Sequence, residues 1–469
     1  MGFHLVVSLM RKGGALRSEG LFGTSGIRGV VGKDLTLDSC HEIAQALGTV
    51  LTSPSRVCIA TDARLSREII KGTVIQGLLS CGINVVDFGI MPTPALALLT
   101  RELGFDSGIM ITASHNPPEY NGIKLFNSDS LGYSWAQQRE IEKVYFEKKF
   151  RMGTYGNLER ATGAKGKYID FLAKKLPTRR LNHGLRIVVD PGNGAASGFA
   201  SDIFARMGLT IIPLNDQPDG IFPGRSPEPK EDTLAGTVQF LREQNADLAV
   251  CFDGDADRVV FCDREGFLGF NEMIAFISGL VVLETGRRKI ATTVETGKLL
   301  DMAVENMGVE VVRGRVGDVN VAYLTRELDA AIGVEGVGVY IIPEAGYYPD
   351  SIFATLTMLS QLDHVSEIRE FFSVMTRLFF EKTKVPCPDE FKEVVMEELH
   401  NGDHLFGANE INTLDGLRLE FDDSWMLIRA SGTEPAIRVI AESQSHSRTT
   451  ELLGKGTEAV RSCLVRFRQ

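Results

Sequence analysis

The stretch Asp247–Arg258, DLAVCFDGDADR, runs an unbroken apolar segment straight into a turn that carries three aspartates. A short continuous apolar run bounded by a turn reads as a strand buried on both faces. Three other stretches share the construction: RVCIATDARLS (Arg56–Ser66), LRIVVDPGNGAASG (Leu185–Gly198) and KIATTVETGKLL (Lys289–Leu300). In each, the apolar run ends in an acidic or glycine-rich loop and a helical pattern follows. Buried strands flanked by helices imply α/β layers. The spacing implies similar units repeated along the chain, not one large sheet. In such folds the loops beyond the strand C-termini carry the ligands.

Working outward, KKFRMGTYGNLERATGAKG (Lys148–Gly166) is charged and dotted with glycine, and separates a first unit from a second. A third begins after DREGFLG (Asp263–Gly269), and the periodicity changes around EKTKVPCPDEF (Glu381–Phe391). Beyond it, LRLEF, SWMLIRAS and AIRVIAES read as strands, followed by a helix from Thr449 to the end. This last unit is a smaller α+β domain.

The 469-residue chain is 43% hydrophobic and 24% charged, enough to bury several cores. Its net charge of −11 disfavours a nucleic-acid partner, which needs a concentrated basic face. The seven cysteines form no C-x-x-C pair, and several sit in apolar runs, as expected of core residues in a reducing compartment. The apolar run MIAFISGLVVL (Met273–Leu283) is too short to span a bilayer and reads as a buried helix. At the N-terminus the basic residues follow the apolar patch, the wrong order for a secretory signal. Residues 1–20 are read as a loosely ordered extension, with Met10 an alternative start. These features predict a cytoplasmic enzyme with no membrane partner.

Four motifs carry chemistry. Asp253, Asp255 and Asp257 alternate along the turn that ends the quoted strand. Carboxylates this close repel unless a cation neutralises them, and hard oxygen ligands favour Mg²⁺ or Ca²⁺. An EF-hand would need Gly and Glu where Arg258 and Arg264 stand, so that reading fails. The second motif, RASGTEPAIRV (Arg429–Val439), places a donor-rich turn, Ser431-Gly432-Thr433, between Arg429 and Arg438. That is an anion site best matched by phosphate. The competing reading, a capping box from Ser431 to Glu434, leaves both arginines unexplained. FGTSGIRG (Phe22–Gly29), with Arg28, is a weaker glycine-rich signal. The fourth, MITASHNPPEYNGIKLF (Met110–Phe126), holds Ser114 beside His115, with Lys124 downstream. Ser114 lies outside any G-x-S-x-G elbow. Beside a metal loop and an anion turn, it reads as a phosphoryl carrier, because phosphoryl transfer needs oxygens positioned and charge offset. One rival remains: Gly192, Gly194 and Gly198 after a strand, with Asp216 downstream, imitate a dinucleotide fingerprint and would imply an NAD-linked enzyme.

TASHNPPEYNGIK, DGDADR, RASGTEPAIR and FGTSGIRG together resemble, in order and spacing, the α-D-phosphohexomutases, from about Leu21 to Ser443. The chain is similar in particular to archaeal phosphoglucosamine mutase-like members. The resemblance implies three similar α/β mixed-sheet domains and a C-terminal TATA-box-binding-protein-like domain around a central cleft. We place them at residues 19–158, 159–264, 265–380 and 381–469. It also implies that Ser114 is phosphorylated and that its phosphate, with Asp253, Asp255 and Asp257, holds Mg²⁺. A hexose phosphate would pass through a hexose bisphosphate and return a phosphoryl group to Ser114. Arg429, Ser431, Gly432, Thr433 and Arg438 would grip the unreacting phosphate, and Arg258 would orient the reacting one. Lys124, His115 and Arg28 would serve acid/base and charge-stabilising roles.

The sugar-recognition loop departs from the family pattern. GVEGVGVYIIPEAGYYPDS (Gly333–Ser351) keeps Glu335 and Asp350, but Val337 replaces a polar Ser or Asn and Val339 replaces His or Gly. Val337 cannot hydrogen-bond a sugar hydroxyl. Either the substrate differs, recognition is weakened, or the loop sits differently. A non-catalytic or specificity-altered paralogue that binds sugar phosphates is the alternative.

Overall fold

The computed structural model describes residues 20–52, 54–176, 181, 184–401, 406–432 and 434–467. The N-terminal extension up to residue 19 and Thr433 lie outside the described residues.

Four sheets follow one another along the chain. In the first, Arg56–Thr61 is central, with Asn84–Ile90 and Ser107–Ile111 parallel on either side. Tyr120–Asn127 returns antiparallel, and Ile27–Val30 adds beyond it. The second sheet repeats this order with Arg186–Asp190, Thr210–Pro213, Leu248–Phe252 and Val259–Cys262. The third does so with Lys289–Thr293, Glu310–Gly314, Ile332–Glu335 and Val339–Ile341. The predicted repetition is therefore a shared topology: a first strand between two parallel neighbours, and an antiparallel fourth strand beside the third. The fourth sheet is antiparallel throughout, in the order Phe379–Pro386, Ala436–Ser443, Ser424–Ala430, Leu417–Glu420, Glu410–Asn412. The helix His446–Phe467 packs on it. Three strands straddle or lie beyond the expected divisions. Leu158–Arg160 joins the first sheet, Phe267–Leu268 the second, and Phe379–Pro386 the fourth.

The quoted strand Leu248–Phe252 is buried along its whole length, as its unbroken apolar run requires. The three α/β sheets share an interior on one face and keep separate cores on the other. One apolar core takes in Cys58 and Met110 of the first sheet, Val189 and Phe252 of the second, and Ile290 and Val334 of the third. At its heart lies the helix Thr93–Glu102, started by Pro94 in its first turn and buried from Thr93 to Thr100. The 273–283 apolar run lies in the helix Phe270–Thr285, mostly buried as expected. The helix ends at Gly286, whose left-handed φ of 69° suits a C-terminal cap. All seven cysteines are buried, and none forms a disulfide among the described residues.

Candidate functional site: a serine, an aspartate turn and a ring of cations

The serine loop, the aspartate turn and the Ser431-Gly432 turn each leave a strand end, whereas FGTSGIRG runs into the strand Ile27–Val30. Ser114 follows the strand Ser107–Ile111 and has φ 51°, a left-handed conformation that costs a non-glycine residue energy and marks a constrained loop. Thr112 Oγ1 accepts the Ser114 N–H at 2.8 Å and donates to Asp62 Oδ2 at 2.7 Å. Ser114 Oγ donates to Asp253 Oδ2 at 2.6 Å and lies 3.3 Å from His115 Nδ1. The serine loop of the first domain and the aspartate turn of the second thus meet at the hydroxyl.

The aspartate turn is nearly closed to solvent. One oxygen from each of Asp253, Asp255 and Asp257 lies within 4.8 Å of the others, a spacing that could hold a metal ion. Lys124 Nζ donates to Asp255 Oδ2 at 2.7 Å and to Asp257 Oδ2 at 2.6 Å. Thr93, at the start of the central helix, donates its hydroxyl to Asp255 Oδ2 at 2.6 Å and its N–H to the Asp255 carbonyl at 2.9 Å. Asp255 Oδ1 and Asp257 Oδ1 are buried with no hydrogen-bond partner. Buried carboxylate oxygens rarely stay unsatisfied. Two orphaned oxygens in a three-carboxylate turn, with a serine oxygen alongside, fit a hard divalent cation.

Electrostatics divides the roles. Burial, with Asp257 and Asp255 close by, raises the Asp253 carboxyl well above its usual range. Burial also works against Asp257, but Lys124 and Arg258 outweigh it and hold that group down at about 2. For Lys124, desolvation opposes the charge and Asp255 and Asp257 overcome it, so the ammonium is held firmly. His115 moves the other way: burial, Arg258 and Arg28 push it down to about 2, leaving a neutral ring. Arg28 donates to Asn116 Oδ1 at 3.1 Å, and Arg258 lies 3.9 Å from Asp257 Oδ1.

The third domain reaches this cluster through its backbone. Arg258 bridges to Val339, and the Val259 N–H donates to the Gly338 carbonyl at 3.0 Å. Gly338 has φ 83°, and a Cβ on it would overlap the Val259 carbonyl. Glu335 accepts the Gly317 N–H at 2.8 Å; burial and the neighbouring Asp318 raise its carboxyl to about 7. Asp318 in turn accepts from Ser25 of FGTSGIRG at 2.5 Å. Val339 is not a degraded sugar contact. Its side chain is 1% exposed and packs with Ala291, Val321 and Ile341 in the interior of the third domain. Val337 is partly buried against the same cluster.

In the fourth domain, Arg429 and Arg438 face each other across adjacent strands. Arg429 is buried and already bound, its Nη1 to Glu295 at 3.0 Å and its Nε to Asp415 at 3.1 Å. Arg438 is a third exposed, with only a 4.0 Å approach to Glu434. Ser431 Oγ accepts the Glu434 N–H at 3.2 Å, which is half of the capping-box pattern, but a strand follows and no helix is capped. A Cβ on the exposed Gly432 would lie 3.6 Å from the Thr24 methyl, so this turn abuts the FGTSG loop. Lys392 holds the turn from behind, donating to the Ser431 carbonyl at 2.6 Å.

The glycine-rich rival has another use. Gly194 packs so closely on Gly254 of the aspartate turn that a Cβ would overlap the Gly254 carbonyl, and the Ala195 N–H donates to that carbonyl at 2.9 Å. Asp216, which would reach a ribose in a dinucleotide site, accepts the Gly198 N–H at 2.6 Å. Gly194 and Ala195 brace the aspartate turn. Arg225 adds to the brace, binding Asp190 Oδ2 at 2.9 Å and the Phe252 carbonyl at 2.7 Å.

Sequence reading missed Thr93, Asp318, Glu295, Asp415, Arg225 and Arg64. Each acts on a loop far away in the chain and sits in no motif of its own. The only local hint was a polar residue at a strand end or helix start in an otherwise apolar setting.

Models of the phosphoglucomutase/phosphomannomutase family match in series: alpha/beta/alpha domain I over residues 19–152, domain II over 166–266, domain III over 271–377 and the C-terminal domain over 383–455. The chain is 37% identical to a probable phosphoglucosamine mutase of Pyrococcus abyssi over 94% of this chain and 98% of that protein. It is 38% identical to one from Methanopyrus kandleri over 96% and 99%. Its fold matches a phosphoglucomutase/phosphomannomutase family protein from Burkholderia thailandensis with a TM-score of 0.84, at 26% identity over 96% of this chain and 98% of that one. It matches the parafusin phosphoglucomutase of Paramecium with a TM-score of 0.71, at 19% identity over 95% of each chain. Four sheets, a serine loop facing an aspartate turn and these likenesses agree: the chain belongs to the phosphoglucomutase/phosphomannomutase family and is a phosphohexomutase.

Proposed function

We propose that this mutase carries its phosphoryl group on Ser114, uses Mg²⁺ at the aspartate turn, and interconverts the 6- and 1-phosphates of an amino-hexose, glucosamine first. One observation carries the reading: Ser114 Oγ lies 2.6 Å from Asp253, beside two buried carboxylate oxygens without partners. The preference for glucosamine follows the names of the relatives most alike in sequence. Asp253, Asp255, Asp257 and the Ser114 oxygen would hold the cation, which when bound offsets charge on the transferring phosphoryl oxygens.

The chain's own residues do the rest. Asp253 aligns the serine oxygen, and Thr93 and Lys124 turn Asp255 so that Oδ1 faces the site. Lys124 works as a fixed positive charge, since two carboxylates hold its protons, and it stabilises charge that develops in the transition state. The neutral His115 ring serves as a hydrogen-bond partner beside Ser114 Oγ, not as its base. Arg258 and Arg28 stand beside the reacting centre as guanidinium forks for its oxygens. The phosphate that is not reacting would be held by Arg438, Ser431, Gly432, Thr433 and Arg429. Glu335, with Asp318 beside it, would face the sugar.

Turnover of glucosamine, glucose and mannose phosphates, primed with glucose 1,6-bisphosphate, tests the substrate. Intact-mass spectrometry of wild type and Ser114→Ala tests the carrier. One added phosphate on wild type, none on the variant, and loss of turnover with an unchanged fold are expected. A variant that still turns over at the wild-type rate would falsify the serine assignment.

A further inference from the structure

Arg64 lies in none of the motifs, yet its side chain is fully buried. A guanidinium has five N–H donors in a fixed plane, and here every one is used. Nε binds Asp62 Oδ2 at 3.0 Å. Nη1 donates to the carbonyls of Pro117 at 2.5 Å and Tyr120 at 2.9 Å. Nη2 donates to the carbonyls of Ser114 at 2.9 Å and Asn116 at 2.6 Å. Four of the five acceptors thus belong to the serine loop. Asp62, the fifth, reaches the same loop by its other contact, since Thr112 bridges it to the Ser114 N–H. Both backbone groups of Ser114 therefore lead back to the Asp62–Arg64 pair.

The second domain seals this arrangement. The Phe222 ring, at φ 52°, lies 5.3 Å under the guanidinium. A Cβ on Gly220 would overlap the Leu65 N–H, and one on Gly254 would overlap the Ser114 carbonyl. That carbonyl is held between Arg64 on one side and the aspartate turn on the other. The two prolines cannot do this: Pro117 and Pro118 stop the loop from becoming a helix but offer no donor to its carbonyls.

We propose that Arg64 is the positioning residue of the phosphoryl carrier: by binding the Ser114, Asn116, Pro117 and Tyr120 carbonyls at once, it holds Ser114 Oγ in line with the aspartate turn. It touches no reacting atom. The inference rests on the reading of Ser114 as carrier.

Arg64→Lys in the full-length, Mg²⁺-loaded enzyme tests it, because lysine keeps the charge but has three donors and no plane. The expected kcat falls by about 100-fold, the scale of an ångström-sized misplacement. KM for the hexose phosphate stays within about threefold, since the unreacting phosphate is held by another domain. The rate at which glucose 1,6-bisphosphate phosphorylates Ser114, followed by intact mass, drops with kcat. A kcat within threefold of wild type overturns the proposal. So does a rise in KM that accompanies a lowered melting temperature, which marks a merely structural arginine. If Arg64→Lys does not fold, Thr112→Val removes the Ser114 N–H partner and is expected to lower kcat about tenfold at constant KM; an unchanged kcat there overturns it equally. Wild-type protein that never gains phosphate on Ser114 takes down the carrier reading itself, a result visible before any variant is made.

Discussion

The serine–aspartate side of the molecule and the arginine side of the fourth domain are both rich in buried charge, and they treat it differently. Around Ser114, cations bind backbone carbonyls and site carboxylates in short bonds: Arg64 to four carbonyls of one loop, Lys124 to Asp255 and Asp257. In the fourth domain, Arg429 is tied to Glu295 of the third domain and to Asp415, while Arg438 is left a third exposed. Backbone carbonyls cannot be exchanged for a ligand without unfolding a loop, whereas a carboxylate partner can yield to a phosphate of higher charge. On the proposed reading, one side would be a fixed frame for chemistry and the other a grip that trades partners when substrate arrives. A hexose bisphosphate that must turn over during the reaction needs this combination.

Withdrawing the metal strikes the fixed side hardest. A chelator is expected to abolish turnover, with recovery on Mg²⁺ addition; calorimetric titration of Asp255→Asn should show lost or weakened Mg²⁺ binding. Gly254→Ala is next. It forces a methyl against the Ser114 carbonyl, and kcat should fall about 100-fold with little change in KM. On the exchangeable side the effect should move to KM. Arg429→Ala removes charge-assisted bonds of ~1.5–3 kcal/mol and should raise KM by about 10- to 100-fold. Glu295→Gln loosens the same arginine and should lower KM, by severalfold at most; a KM that rises instead would show that the Glu295 pair holds the site together and is not exchanged.

The smallest effect is one of pH. Burial and Asp318 raise the Glu335 carboxyl from 4.5 to about 7. Between those values the folded chain keeps a proton that the unfolded chain has released, so stability falls as pH rises through the window and levels off above about 7. Glu335→Gln should flatten that part of a pH series of denaturation midpoints, most visibly between pH 5 and 7. An unaltered slope would assign the dependence to another group.

Much of the site could be read from the chain because its chemistry is local. The aspartates stand on one turn, Ser114 and His115 are adjacent, and the strand before each loop announces itself by an unbroken apolar run. The repetition of similar α/β units was legible for the same reason, while the strand order within each sheet was not. Val339 shows the limit. Aligned by its position in the loop it looks like a lost sugar contact, yet the alternation of side chains along the strand Val339–Ile341 turns it into the core. Gly192, Gly194 and Gly198 were misleading in the opposite sense: spaced for a nucleotide, Gly194 is small because it touches Gly254, Gly192 because it touches Arg225, and Gly198 has a left-handed φ of 63°.

The sequence by itself determined the repeated α/β units, the acidic turn, the serine and the arginines that flank the Ser431-Gly432 turn, since each rests on residue type and short-range spacing. Only the tertiary structure decided that Arg64 would meet a loop some 50 residues away, that Thr93 would hold Asp255 across 162 residues, and that Arg429 would be paired by Glu295. Those contacts depend on how four sheets pack around one another. A buried charge is stable only where packing brings every partner to it at once.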